Sequence, residues 1–143
     1  MPAFLVVANQ TLASPTLAAA VAERVAAGNA QFHVVVPATP VTHGLTWDEQ
    51  EAVQLATARL EGLLARLRAL GAVASGEVGS QDPVAAAQDV LRSAVFDEII
   101  VSTLPPGASR WLGQDVPTRL RRAVDIPVTV VTAAASQVET PAG

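Results

Sequence analysis

Apolar residues fall along this chain in two rhythms that alternate from end to end. Short runs occur at Ala3 to Ala8 and Ile99 to Val101, unbroken, at Phe32 to Val36, broken only by His33, and at Val128 to Thr132, broken only by threonines. Runs of this length, rich in β-branched residues, read as strands with both faces covered. Between them the spacing changes to three and four. Leu17, Val21 and Val25 lie four apart, behind Ser14-Pro15 and ahead of Gly28-Asn29. A hydroxyl N-cap with proline at the first helical position opens a helix there, and Gly-Asn closes it. Val53, Ala56, Leu60, Leu63, Leu67 and Leu70 form a longer stripe, which predicts a helix over Trp47–Leu70 ending at Gly71. Asp48, Glu49 and Glu51 fall in its first turn, where the helix dipole favours them.

Val73 to Val78 alternates apolar with polar or small residues, the pattern of an edge strand with one wet side. Asp82-Pro83 then opens a helix to about Ser93, and Pro117 lies in the first turn of another from about Asp115 to Val124. The order is β-α-β-α-β-α-β-α-β with mostly short connections. It predicts a three-layer α/β sandwich around a five-stranded parallel sheet; right-handed crossovers allow few windings, and the order expected is 3-2-1-4-5. Residues 1–133 make one domain on this reading, and 134–143 a flexible tail.

Composition narrows the chemistry. Half of the 143 residues are apolar but only 3% are aromatic, so the core is built from Ala, Val and Leu. The absence of cysteine removes disulfides and thiolate metal sites. All nine basic residues are Arg, which removes every lysine-dependent mechanism. A net charge of −4 argues against nucleic-acid binding. No apolar run approaches the roughly 20 residues of a membrane span, and Met1 to Val7 carries no basic leader region. A cytoplasmic protein is the expectation.

Candidate chemistry gathers after the fourth strand. Ile99-Ile100-Val101 runs on into Ser102-Thr103-Leu104-Pro105-Pro106-Gly107-Ala108-Ser109-Arg110-Trp111-Leu112-Gly113. The two prolines stop strand pairing, and residues 109–112 read as one helical turn. A strand, a Gly- and hydroxyl-bearing loop and a helix start are the parts of a backbone anion cradle. In the order 3-2-1-4-5 this loop stands beside the end of the first strand, Ala8-Asn9-Gln10-Thr11, at the point where strand order reverses and such sheets bind ligands. Arg110 at a helix start makes electrostatic sense opposite a phosphate or a carboxylate. Ordinary turn chemistry, with Arg110 in a surface ion pair, accounts for the same residues. His33 reads as a structural or partly exposed edge histidine, and His43 as a loop residue near the ligand mouth. No second histidine accompanies either, so no metal site is expected. Neither a nucleophile elbow nor a dinucleotide-binding glycine fingerprint is present.

Over nearly its whole length the chain resembles the universal stress protein family. The resemblance rests on five strands, a long second helix, and the closing unit Gly107…Gly113…Arg119-Leu120-Arg121-Arg122-Ala123-Val124-Asp125-Ile126-Pro127-Val128-Thr129-Val130-Val131. It looks like a divergent branch. Arg110 stands three residues after Gly107, Gln114 follows Gly113 where ATP-binding members have Ser or Thr, and the nearest later hydroxyl is Thr118. Asn9 is the counterpart of an aspartate at the end of the first strand. The resemblance implies a Rossmann-like fold of the adenine nucleotide alpha hydrolase type. It also implies a stress-response role with no turnover chemistry, and ATP, AMP or another phosphate-bearing ligand held by Ala8, Asn9, Val36, Pro37, Ser102, Thr103, Gly107, Ser109, Arg110, Gly113 and Thr118. The adenine contact falls on the backbone of Val36 or Ala38, because Pro37 has no N–H. It further implies a homodimer through the last strand, at Val128 and Val130. A dimeric scaffold protein that binds no small molecule fits the same sequence.

Overall fold

A computed structural model describes residues 2–8, 15–38, 42–43, 46–47, 49–103 and 116–132. Strand β1 spans Ala3–Ala8, helix α1 Pro15–Ala26 and β2 Gln31–Pro37. Two short strands follow, β3 at Thr42–His43 and β4 at Thr46–Trp47, and then helix α2 at Glu49–Ala69. The chain continues with β5 at Val73–Gly79, α3 at Pro83–Leu91, β6 at Glu98–Thr103, α4 at Val116–Ala123 and β7 at Val128–Thr132.

Five strands form one parallel sheet in the order β5-β2-β1-β6-β7, which is 3-2-1-4-5 when its strands alone are counted. The fold is the expected Rossmann-like three-layer sandwich. Side chains alternate across the sheet, and the two resulting cores are distinct. Phe4, Val6, Ala8, Phe32, Val34, Val36 and Ile100 pack beneath α1 and α2. Leu5, Val7, Val35, Ile99 and Val101 pack beneath α3 and α4. Small side chains let the layers close. A Cβ on Gly76 would lie 2.6 Å from both Leu60 Cδ1 and the carbonyl oxygen of Val34.

The helix ends follow local chemistry. Gly71 takes φ +92°, and Ala72 N–H then reaches back to the carbonyl of Leu67 at 3.1 Å. Three expectations need correction. Trp47 belongs to β4, paired with Thr42, so α2 begins only at Glu49. β-branched threonine and aromatic tryptophan favour that pleated pairing over a first helical turn. His43 lies in β3 opposite Thr46, in place of an irregular loop. The α2 stripe holds at Ala56, Leu60, Leu63 and Leu67, but Val53 and Leu70 are 41% and 38% exposed. A stripe with 3.6-residue drift leaves the core near the ends of a long helix, and Ala52 takes over the buried position at the start. The helical turn expected at 109–112, the cap at Asp115 and the tail at 134–143 lie outside the described residues.

Arginine side chains tie elements together. Arg119 Nη2 donates to both carboxylate oxygens of Asp82, at 3.1 and 3.2 Å, linking α4 to the start of α3. Arg121 Nη2 donates to Val128 O at 3.2 Å. At the end of α2, Arg68 donates through Nε and Nη2 to Ala74 O, at 3.2 and 2.7 Å. These carbonyl contacts cannot be read from helix spacing, because their acceptors belong to other elements.

Candidate functional site

The carboxyl ends of β1 and β6 stand side by side, with Ala8 in register with Ser102. On its other side β1 pairs with β2, where Val7 lies opposite Val35. Ala8, Val36 and Ser102 therefore end three neighbouring strands. Strand alternation divides this rim between the two faces. Ala8 and Val36 belong to the core beneath α1 and α2, and Ser102, two residues from Ile100, shares their face. Thr103 and Pro37 fall on the face covered by α3 and α4.

Ser102 and Thr103 are 1% and 0% exposed, the only buried polar residues among those described. Each has a bonding partner, as a buried hydroxyl requires. Both sit at the end of β6, which flanks the reversal of strand order, the place where ligands meet open parallel sheets. Next to them, Thr16 Oγ1 in the first turn of α1 donates to Thr132 O at 3.1 Å, tying the start of that helix to the end of β7.

The remaining expected site residues divide. Pro37 ends β2 in register with Gly79. Ala38 N–H donates to Gly79 O at 3.1 Å, so it is already committed within the protein. Val36 is a core residue, 2% exposed, and its expected ligand contact is through backbone alone. Thr118 is half-buried in the first turn of α4, between the buried Pro117 and the exposed Arg119. Asn9, Gly107, Ser109, Arg110 and Gly113 lie outside the described residues.

A second group of polar side chains meets at the opposite, amino end of the sheet. Strand β2 is internal, so His33 is not an edge residue, and it is in register with Ser75 of the edge strand β5. Its Nδ1 lies 3.0 Å from Ser75 Oγ and its Nε2 2.8 Å from Glu77 Oε1. Ser75 and Glu77 are two apart in β5 and share the face on which His33 stands. These residues line a cleft of about 270 Å³, whose other wall includes Val90, Ala94, Val95 and Phe96. Sequence pattern does not announce this cluster: a Ser-x-Glu pair on a wet edge strand has no local signature, and its histidine is over forty residues away.

Among the described residues no group of three His, Asp or Glu is placed to hold a metal ion. No described helix is long and apolar enough to cross a membrane. Comparison of the chain with models of known protein families and with curated proteins finds no match.

Proposed function

We propose that the protein is a small cytoplasmic binding protein of the universal-stress-protein kind, holding a phosphate-bearing ligand over the carboxyl ends of β1 and β6. One observation carries this reading. Ser102 and Thr103, the only buried polar residues among those described, end the strand beside the reversal of strand order. Ala8 borders the same corner, and the reading assigns to Asn9 and to the backbone N–H groups of Gly107 to Gly113 the contacts with the ligand, with Arg110 as the charge. Because Ala38 N–H is committed to Gly79, recognition on this reading centres on the phosphate and leaves the base loosely specified. Adenine nucleotides and smaller phosphates are the ligand class, and binding without turnover is the activity.

Titration calorimetry with ATP, ADP, AMP and inorganic phosphate tests it. Heat of binding from at least one of them is expected, and silence from all four refutes the proposal.

A second reading is a dimeric scaffold. Among the described residues strand β7 ends the sheet next to β6 alone, with Val128 and Val130 only partly covered. An apolar sheet edge of this kind is stabilised by pairing with a second copy.

A further inference from the structure

We propose that Ser75 is an activated nucleophile that accepts an acyl group from small uncharged carboxylic esters in the cleft at the amino end of the sheet. The site is separate from the carboxyl rim and does not depend on the ligand proposed there.

Hydrogen-bond chemistry sets the roles. A carboxylate only accepts, so the 2.8 Å contact with Glu77 Oε1 puts the ring proton of the neutral imidazole on Nε2 of His33. Nδ1 is then the acceptor, and at 3.0 Å it takes the hydrogen bond from Ser75 Oγ–H. A hydroxyl within reach of a base, and that base oriented by a third group, is the general arrangement of an activated serine. The fold holds it in place: His33 and Ser75 are in register on hydrogen-bonded strands. Phe96 is buried beside the imidazole, with ring centroids 6.3 Å apart.

The cleft selects the acyl donor. Its volume of about 270 Å³ suits a short acyl chain, and Val90, Ala94, Val95 and Phe96 offer apolar contact. Val95 is 90% exposed, an apolar side chain left uncovered beside the cleft. Among the described residues Glu77 is the only carboxylate in the lining and no arginine joins it, so anionic substrates are disfavoured.

In the reaction Ser75 Oγ attacks the ester carbonyl carbon while His33 Nδ1 takes the hydroxyl proton. The bond from that carbon to the leaving oxygen breaks, the alcohol departs with the proton, and the acyl group stays on Ser75 as an ester. Water then attacks the acyl carbon and passes a proton to His33. Ser75 Oγ leaves and recovers it, releasing the carboxylic acid. Ser75 and His33 are the catalytic residues, and Glu77 is a positioning residue acting through the imidazole.

The chain is well suited to the test, because it contains no Lys, Cys or Tyr to react in the background. The intact protein is treated with p-nitrophenyl acetate, p-nitrophenolate release is followed, and the acetyl group is located by peptide mass mapping. A burst of one equivalent with the acetyl group on Ser75 is expected. Ser75→Ala abolishes it, and His33→Gln slows it by about 10²-fold or more. Glu77→Leu also slows it, whereas Glu77→Gln, whose amide oxygen still accepts from Nε2–H, restores most of the rate. Acetyl on the N-terminal amine or a histidine, acetyl spread over several hydroxyls, or no acetylation beyond that of the urea-unfolded chain overturns the proposal. Mapping is done on the unmutated protein, so the outcome does not depend on any variant folding.

Discussion

Arg24 of α1 and Glu98 at the start of β6 are joined by two parallel hydrogen bonds, Nε to Oε1 at 2.9 Å and Nη2 to Oε2 at 2.8 Å. Arg24 Nη1 also donates to Ala20 O at 2.9 Å, and its guanidinium carbon lies 5.6 Å from the centre of the Phe4 ring. Thr129 Oγ1 of β7 donates to the same carboxylate. One partly buried carboxylate thus ties together a helix and two strands. The Arg24 hydrogen bond lowers the pKa of Glu98 from its ordinary value, with Thr129 contributing, and raises that of Arg24.

This pairing makes stability depend on acid. A carboxyl whose pKa is depressed on folding contributes stability fully above its unfolded pKa, about 4.3 for glutamate, and loses it as pH falls through the lower folded value. Glu98→Gln is therefore expected to be less stable than the unmutated protein at pH 7, by about 2 kcal/mol. The gap narrows as pH drops below roughly 4. Urea unfolding curves across that range check it, and a gap that stays constant contradicts the assignment.

Gly76 is expected to resist any side chain. An added Cβ meets the Val34 carbonyl oxygen, which the sheet holds, as well as the end of Leu60. Gly76→Ala should cost about 1–3 kcal/mol, the scale of overpacking. Gly28, whose added Cβ would meet nothing within 4 Å but whose φ is +148°, is the contrasting case: its alanine variant is destabilised through backbone strain alone. Thermal unfolding of both variants separates steric contact from conformation.

Along α2 the cost of truncation should follow burial and not hydrophobicity. Leu63 is 1% exposed and Leu55 38%. Leu63→Ala is expected to lose about 2–5 kcal/mol, and Leu55→Ala less than about 0.5 kcal/mol, as for surface changes. Equal losses in denaturant titrations would show that α2 is rotated about its axis from the orientation described.

Two variants separate the functional readings. Arg110→Ala should weaken phosphate or nucleotide binding by about 1–3 kcal/mol, the scale of a charge-assisted hydrogen bond, with no change in sedimentation. Val130→Lys on the edge strand should shift sedimentation from dimer to monomer and leave ligand affinity unchanged. A protein that is monomeric before mutation excludes the edge-strand dimer.

The fold was legible because its signals are local. Unbroken runs such as Leu5-Val6-Val7 can exist only where both faces of a strand are covered, and caps such as Asp82-Pro83 mark where a helix begins. Handedness of crossovers reduced the strand orders to a few, and the sheet adopts the one expected among them. The rim at Ala8, Ser102 and Thr103 followed in turn, since it lies wherever the first and fourth strands adjoin.

Side-chain partnerships were a different matter. Arg24 and Glu98 are 74 residues apart, and His33 lies 42 and 44 residues from Ser75 and Glu77. Neither partner in such a pair carries a mark of the other in its own neighbourhood. Apart from stripe ends such as Val53 and Leu70, sequence pattern determined which residues face inward, because burial of apolar surface acts on each residue separately. Only the packed tertiary structure decided which polar groups meet, because hydrogen bonds are directional and short, and a register shift of one residue would undo every one of them.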